Sequence, residues 1–293
     1  MTLEQLRIFI AVAERAHVTK AAAALGLGQS AVSAAIAALE ARHGTKLFHR
    51  IGRGIALTEA GEQFLGAAQA VLAQADAAQT LLEDLAGATR GRLHLQASHT
   101  IASYWLPRHL VAFRRAYPGI EIELTVGNTA QVAQAVLEGA TELGLVEGNV
   151  DSANLLSRQV ARDSMVLVVG PEHPWTAMQK LQAAQLTQSD WVLREPGSGT
   201  RSELEHALAG LGLHISDLRV TLELPSNEAV RGAVEAGLGA TALSASVAAP
   251  SLEAGLLRQV NFPLPERAFH LLRHKQRTPS RAGAAFAALI QPD

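Results

Sequence analysis

The stretch VTKAAAALGLGQSAVSAAIAALEARHGTKLFHR, residues 18–50, decides the N-terminal fold. TKAAAAL (19–25) predicts a short helix. Gly26 and Gly28 then break the chain, and Ser30 is placed to cap a further helix on which Val32, Ile36 and Leu39 share one face. Upstream, Leu3, Leu6, Phe9, Ile10 and Ala13 recur at helical spacing. Downstream, Ile51 to Leu57, around Gly52 and Gly54, predicts a turn flanked by two short strands. Helix, glycine turn, helix is the pattern of a helix-turn-helix, about residues 18–37 here, whose second helix enters the DNA major groove.

On that reading Gln29, Ser30, Ala31, Ser33, Ala34 and Ala37 face outward. Gln29 can pair with adenine, the two serines can donate or accept, and the alanine methyls can touch thymine methyls. Lys20, Lys46, Arg50 and Arg53 would hold phosphates, adding affinity rather than sequence information. Taken alone the pattern is weak: many alanine-rich helical hairpins match it, and Ser30 is then only a cap. Charge adds to it. Overall the chain is at −2, but residues 1–57 hold seven cationic against three acidic side chains, a net +4 that leaves −6 on the other 236 residues. A basic head on an acidic body is the asymmetry of a small DNA-binding module joined to something else.

Residues 58–86 contain no proline, and Phe64, Ala68, Val71, Ala75, Ala78, Leu82 and Leu85 are spaced alternately four and three apart. That is an a/d seam, expected to join two copies of the chain along a rod of roughly 43 Å. The plainer alternative is an amphipathic helix packed on its own domain. GATRG (87–91) closes the helix as a hinge.

From Arg92 onward short β-runs alternate with helical stretches: LHLQA (93–97), EIELTV (121–126), ELGLV (142–146), MVLVV (165–169), WVLR (191–194), RVTLEL (219–224), ATALS (240–244) and HLLRH (270–274). The alternation predicts an α/β architecture with mostly parallel sheets. Four small polar clusters follow strands and precede helices: SHT (98–100), GNT (127–129), GSGT (197–200) and PSNE (225–228). Helix N-termini at the carboxyl ends of strands are anion sites. Helix capping by Ser98, Thr100, Thr129, Ser198 and Ser226 explains any one cluster as well. Four in succession favour a ligand cleft. Glu147, at a strand end, either meets a cationic or hydroxyl part of a ligand or caps a turn. Arg201 either lends charge to an anion or pairs with Glu195. His99 reads as a hydrogen-bonding partner, and Trp105, Trp175 and Trp191 as packing, with Trp105 a candidate cleft wall.

The 48% apolar content is ample for buried cores, and 18% charged residues are too few for a disordered chain. With no cysteine, disulfides, thiolate metal sites and a cysteine nucleophile are excluded. The eleven histidines show no metal-ligand spacing, so no metal and no cofactor are expected. No G-x-S-x-G elbow, P-loop or G-x-G-x-x-G after a strand occurs, which disfavours an enzyme. Charges within the first two dozen residues and the absence of an 18-residue apolar run predict a cytoplasmic protein without a membrane partner. A solute-binding protein without gene regulation would leave the basic head without purpose, and an interaction scaffold built on the heptad helix would leave the four clusters unused.

The longer strings LEQLRIFIAVAE (3–14), AAAALGLGQSAVSAAIAALE (21–40) and GTKLFHRIGRGIALTEAG (44–61) resemble the LysR-type transcriptional regulators, and the order of elements extends the likeness over the whole chain. The resemblance implies a winged helix-turn-helix (1–58), a dimerising linker helix (59–89) and an effector domain (90–293) similar to type 2 periplasmic binding proteins. It places lobe one at about 92–161 and 268–293 and lobe two at about 162–267. It also implies a dimer of dimers on double-stranded promoter DNA, with RNA polymerase as a further candidate partner. Alanines at 34, 35, 37 and 38, where relatives often carry longer polar side chains, point to sparse base readout with DNA shape contributing more. ASHTIASYWLP and REPGSGTR look like the branch that includes regulators of sulfur assimilation. That likeness implies a small anionic effector, sulfite or sulfate, between Ser98, His99 and Thr100 on one side and Ser198, Gly199 and Thr200 on the other. Asn128, Thr129, Glu147 and Asn227 join the expected site. A small carboxylate is the alternative effector.

Overall fold

Thr2 and Gln5 cap each other reciprocally: the Thr2 hydroxyl accepts from the Gln5 N–H at 3.2 Å, and Gln5 Oε1 accepts from the Thr2 N–H at 3.0 Å. Helix α1 (Leu3–Arg15) runs from this box. The computed structural model describes residues 1–51, 54–85 and 91–291. These fall into two compact units, each taken by itself.

In the first unit, α1 ends where Ala16 adopts φ 47°, and the Ala16 carbonyl accepts from the Ile55 N–H at 3.3 Å. Helix α2 (Val18–Leu25) stops at Gly26, whose φ of 66° is a left-handed geometry that a side chain would oppose. Helix α3 (Gln29–His43) then leaves at 109° to α2, within the range of helix-turn-helix pairs. The expected Ser30 cap does not form. The N-cap is Gly28, extended at ψ 142° and without a side-chain bond, and Ser30 is the second residue of α3. Strands β1 (Phe48–Ile51) and β2 (Gly54–Leu57) pair antiparallel, Phe48 opposite Leu57, so the hairpin begins three residues before the expected Ile51. Its turn, including Arg53, lies outside the described residues.

Phe9 is fully buried at the centre of this unit, with ring centroids 5.3 Å from Phe48 and 5.0 Å from Phe64. Leu6, Val12, Ala21, Val32, Ile36 and Leu39 complete the core. Each large apolar side chain so buried contributes about 1.5–3 kcal/mol. Helix α4 (Glu59–Leu85) is seated on it. Thr58 caps its first turn by accepting from the Gly61 N–H at 3.0 Å, and a Cβ at Gly61 would lie 2.1 Å from the Leu47 carbonyl oxygen. Only hydrogen fits there. The seam divides along α4: Phe64 and Ala68 pack into their own unit, as the plainer reading expected, whereas Val71, Ala78 and Leu82 are exposed. The Leu85 side chain and residues 87–90 of GATRG lie outside the described residues. No single helix among the described residues is long and apolar enough to cross a membrane.

The second unit is built in chain order from β3 (Gly91–Ser98), a π-helical turn (Ile101–Trp105), α5 (Leu106–Ala116), β4 (Ile120–Gly127), α6 (Thr129–Glu138), β5 (Leu143–Glu147) and the long β6 (Leu155–Val169). It continues with β7 (Asp190–Arg194), α7 (Gly199–Ala209), β8 (Arg219–Leu224), α8 (Asn227–Glu235), β9 (Ala240–Ser244), α9 (Ala245–Glu253), β10 (Arg258–Gln259), β11 (Glu266–His274) and α10 (Arg281–Leu289). The sheet runs β4-β3-β5-β11-β6-β9-β7-β8, with β10 beside β6. It is mixed rather than mostly parallel. β3 with β4 and β5, and β7 with β8 and β9, are parallel groups, whereas β11 and β6 lie antiparallel to each other and to their outer neighbours. β6 pairs with β11 from Leu155 to Ser164 and with β9 from Met165 onward, so one strand serves both halves. Leu93, Leu95, Phe113, Leu143 and Phe286 fill one half; Leu167, Trp175, Trp191, Leu193 and Leu204 fill the other. Trp105 belongs to the first of these cores, 6.1 Å from the Phe269 ring, and Trp175 and Trp191 to the second.

Candidate functional site

The four polar clusters lie where strand ends meet helix starts. Ser98 ends β3 and Thr100 precedes the π-helical turn. Such turns recur at functional sites. Gly127 ends β4 and Thr129 opens α6; Ser198 is the N-cap of α7; Ser226 is the N-cap of α8. Of the five expected caps only Ser226 makes the bond, accepting from the Ala229 N–H at 3.1 Å. At α6 the cap is Asn128, whose Oδ1 accepts from the Gln131 N–H at 3.0 Å. Thr100 and Ser198 make no capping bond. Ser98, 1% exposed, leaves its hydroxyl without a hydrogen-bond partner of normal geometry. Capping therefore does not account for these hydroxyls.

One hydrogen-bonded network joins the clusters. Asn227 Nδ2 donates to Thr100 Oγ1 at 2.9 Å, and Asn227 Oδ1 accepts from Arg194 Nη1 at 2.7 Å. Arg194 also donates to both oxygens of Glu195, at 2.8 and 2.9 Å. Glu195 Oε1 accepts from Asn128 Nδ2 at 3.1 Å, and the Ala130 N–H donates to the Gly197 carbonyl at 3.1 Å. Thr129 Oγ1 lies 3.3 Å from Glu147 Oε2. Residues as far apart in sequence as Thr100 and Asn227 thus meet directly. Gly199 is what lets them close: a Cβ there would stand 2.6 Å from Thr129 Oγ1 and 2.9 Å from the Glu147 carbonyl oxygen.

Two residues absent from the sequence reading hold the centre. Arg267 on β11 is fully buried and donates to Thr200 Oγ1 at 3.1 Å and to Thr100 Oγ1 at 3.4 Å. It also pairs with Asp163 of β6, Nη2 at 2.7 Å and Nε at 2.8 Å from Oδ2, while Ser244 donates to Asp163 Oδ1 at 2.8 Å. Arg267 Nη2 lies 4.0 Å from Glu147 Oε1. Glu147 is neither exposed nor a turn cap. Burial by itself pushes its pKa up, but the Arg267 charge and the nearby hydroxyls of Ser98 and Thr100 outweigh that and leave it below the ordinary carboxylate value. Arg201 does not pair with Glu195: it pairs with Glu205 at 2.9 Å and with Glu223, and Glu195 belongs to Arg194. His99 is half-buried at the edge of the network, its pKa lowered by burial and by the Arg194 charge.

The Ser98, Thr100, Thr129 and Thr200 hydroxyls on or beside the helix N-termini, together with the buried Arg267 guanidinium, are donors of the kind that hold a small anion. Among the described residues no group of three or more metal-ligating side chains is present.

On the first unit, Gln29, Ser30, Ala31, Ser33, Ala34 and Ala37 are all exposed on α3, opposite the buried Val32, Ile36 and Leu39. Lys20 and Arg50 are exposed too. Lys46 is exposed but engaged: its Nζ donates to Glu40 Oε2 at 2.6 Å. Glu40, missed in the sequence, is buried. Its Oε1 accepts from the N–H groups of Leu47 and Phe48 at 2.9 and 3.1 Å, fixing the hairpin to the end of α3.

Comparison with known proteins gives two family matches. Residues 3–62 match "Bacterial regulatory helix-turn-helix protein, lysR family" and residues 86–293 match "LysR substrate binding domain". The chain is 36% identical over 294 residues to the HTH-type transcriptional regulator YeiE of Escherichia coli K12, covering 100% of this chain and 98% of YeiE. In fold it is similar to full-length CbnR in a crystal structure with its target DNA, at 22% identity and a TM-score of 0.71, covering 99% of each chain. The regulatory domain of Synechocystis CcmR in complex with 2-PG is similar at 25% identity and a TM-score of 0.62, covering 69% of this chain and 96% of that one.

Proposed function

The chain belongs to the LysR family of DNA-binding transcriptional regulators and carries the family's effector-binding domain, and from that membership we propose that a small oxyanion in the Ser98–Thr200 cradle controls how it holds DNA. The supporting observation is the convergence on one network of the strand-end clusters with the buried Arg267, beside the buried Ser98 hydroxyl. Ser98, Thr100, Thr129 and Thr200, with the first N–H groups of α7, are donors for the oxygens of the anion. Arg267, ion-paired with Asp163, adds guanidinium N–H groups beside Thr100 and Thr200. Asn128, Asn227 and Glu147 shape the cradle, and His99 stands at its edge.

In this reading residues 1–58 form the winged DNA-binding head, 59–89 the dimerising helix and 90–293 the sensor. Lobe one is 92–161 with 268–293, and lobe two is 162–267. β6 and β11 are the two strands shared between lobes, so a ligand that favours one lobe geometry acts on the same strands that carry Asp163 and Arg267. Gln29, Ser30, Ala31, Ser33 and Ala34 meet base edges, while Lys20, Lys46, Arg50 and Arg53 meet phosphates. A dimer of dimers presents four such heads to promoter DNA. A ligand can shift this assembly only as far as its affinity differs between the two states.

Sulfite and sulfate are the candidate effectors. A small carboxylate is the second reading, favoured by the CcmR domain's complex with 2-PG. Calorimetry of the full chain against sulfite, sulfate and small carboxylates tests the assignment. Heat with a sulfur oxyanion supports it, and heat with carboxylates alone moves the effector to the second reading. Silence with all of them overturns the cradle.

A further inference from the structure

We propose that Tyr104 is a positioning residue that latches the two halves of the sensor unit together, holding the cradle closed on its effector through Glu228 without touching the effector itself. The inference rests on the effector reading above and adds what keeps the site shut.

The π-helical turn (Ile101–Trp105) joins the cradle to both halves. Thr100 enters it, and Leu106 closes it by donating its N–H to the Ile101 carbonyl. Its last two side chains diverge. Trp105 packs into the core of the first half, with ring centroids 4.1 Å from His109 and 6.1 Å from Phe269. Tyr104 packs instead against a core of the second half, built from Val168, Val192, Val230, Val234, Leu243 and Val247. Consecutive residues of one turn thus anchor in opposite halves.

The Tyr104 hydroxyl completes a clasp. It donates to Glu228 Oε1 at 3.2 Å, and Asn227, the residue before Glu228, donates to Thr100 at 2.9 Å. Two successive residues at the start of α8 therefore hold the turn at two points. Arg231, further along α8, also reaches the Tyr104 hydroxyl and is itself held by Glu235 and the Val247 carbonyl, at 3.2 and 3.1 Å.

The two points differ in what parting them costs. Thr100 and Asn227 are each 1% exposed, so separating them strands buried polar groups. Tyr104 is half-buried and Glu228 exposed, so each can return to water. Arg267 with Asp163, buried between β6 and β11, is costly to open in the same way as the first point. Tyr104 with Glu228 is the reversible contact. A contact that favours the closed arrangement slows release of the effector and leaves its entry unchanged.

Tyr104→Phe keeps the ring and removes the hydroxyl. In the full-length protein it is expected to weaken sulfite binding in calorimetry by about fivefold, with stopped-flow tryptophan fluorescence showing faster release and unchanged association. Glu228→Gln keeps an acceptor for the hydroxyl and is expected to stay within about twofold of wild type. Glu228→Leu is expected to match Tyr104→Phe, and the double variant to bind no worse than either alone. Additive losses overturn the proposal, as does a folded Tyr104→Phe protein that binds sulfite as tightly as wild type or tighter. Amide hydrogen exchange of the anion-free protein reads the latch without an effector. Tyr104→Phe is expected to speed exchange at Leu106 in the turn and also across it, at Ala229 and Val230 of α8. Faster exchange confined to the turn marks a local structural role and overturns the latch, whether or not an anion binds. If the wild type binds no sulfite while the faster exchange spreads to α8, the effector reading has failed and the latch stands.

Discussion

Arg267 on β11 stands directly opposite Asp163 on β6 in the antiparallel register, and the two make a buried ion pair at 2.7 Å between these strands. The same guanidinium reaches Thr100 and Thr200, so one side chain touches both sides of the cradle and the strands beneath it. Removing one member of a buried pair leaves the other charge without compensation, at about 3–5 kcal/mol. Arg267→Met is expected to lower the stability of the sensor unit by that amount in urea unfolding. Arg267→Lys keeps a charge but loses the fork, and is expected to fold with weakened anion binding.

Gly199→Ala tests how tightly the cradle is built. The added methyl would meet Thr129 Oγ1 and the Glu147 backbone at under 3.0 Å. The variant is expected to retain the fold by circular dichroism and to lose anion binding in calorimetry. Wild-type affinity would mean that the contact around Gly199 is loose.

Glu40 carries a pH dependence in the DNA-binding head. Burial pushes its pKa up, but Lys46 and the Leu47 and Phe48 N–H groups lower it overall. A carboxylate with a depressed folded pKa contributes stability that is present above its unfolded value of about 4.3 and lost as pH falls through the folded value. Acid titration of the full chain by circular dichroism is therefore expected to show the head loosening only below that unfolded value. Glu40→Ala, which strands two buried N–H groups, is expected to cost about 1–3 kcal/mol at neutral pH and to flatten that acid limb.

On the DNA face, phosphate and base contacts separate by salt. Lys20→Ala and Arg50→Ala are each expected to weaken binding alike on all sequences and to reduce the salt slope by about one. Gln29→Ala is expected to cost about 1–3 kcal/mol on the preferred site and to relax discrimination at one base pair, with the slope unchanged. Anisotropy titrations over a salt series read both.

The exposed part of α4 predicts the assembly. Val71 and Leu82 are 42% and 68% exposed on a helix whose first two seam residues, Phe64 and Ala68, are already packed. Val71→Asp with Leu82→Asp is expected to lower the particle mass by light scattering. An unchanged mass would place the contact elsewhere.

Much of this arrangement was legible in the sequence because it depends on local signals. The α2–α3 pair follows from helical spacing and from Gly26, and the four clusters from small polar residues between strands and helices. Ser30 was misread because Gly28 can open a helix without a side-chain cap. Longer-range relationships were less visible. β6 begins at Leu155 rather than at Met165, and β11 at Glu266 rather than at His270, because Arg158, Arg162 and Asp163 in one and Glu266 and Arg267 in the other make the strands look polar. Only their mutual pairing turns Asp163 and Arg267 inward. A lone arginine ahead of the Ala268-Phe269 run was the available signal, and it has no meaning without the opposite strand. Glu40 was hidden for the same reason: its partners are backbone groups of the hairpin.

Occupancy of the cradle is expected to change the hold on DNA. Full-length protein titrated onto a duplex selected from genomic fragments, with and without saturating sulfite, measures it directly. A shift in apparent affinity of about 5–150-fold is expected in the wild type, lost in Arg267→Lys. Identical binding curves with sulfite shown by calorimetry to be bound would contradict it.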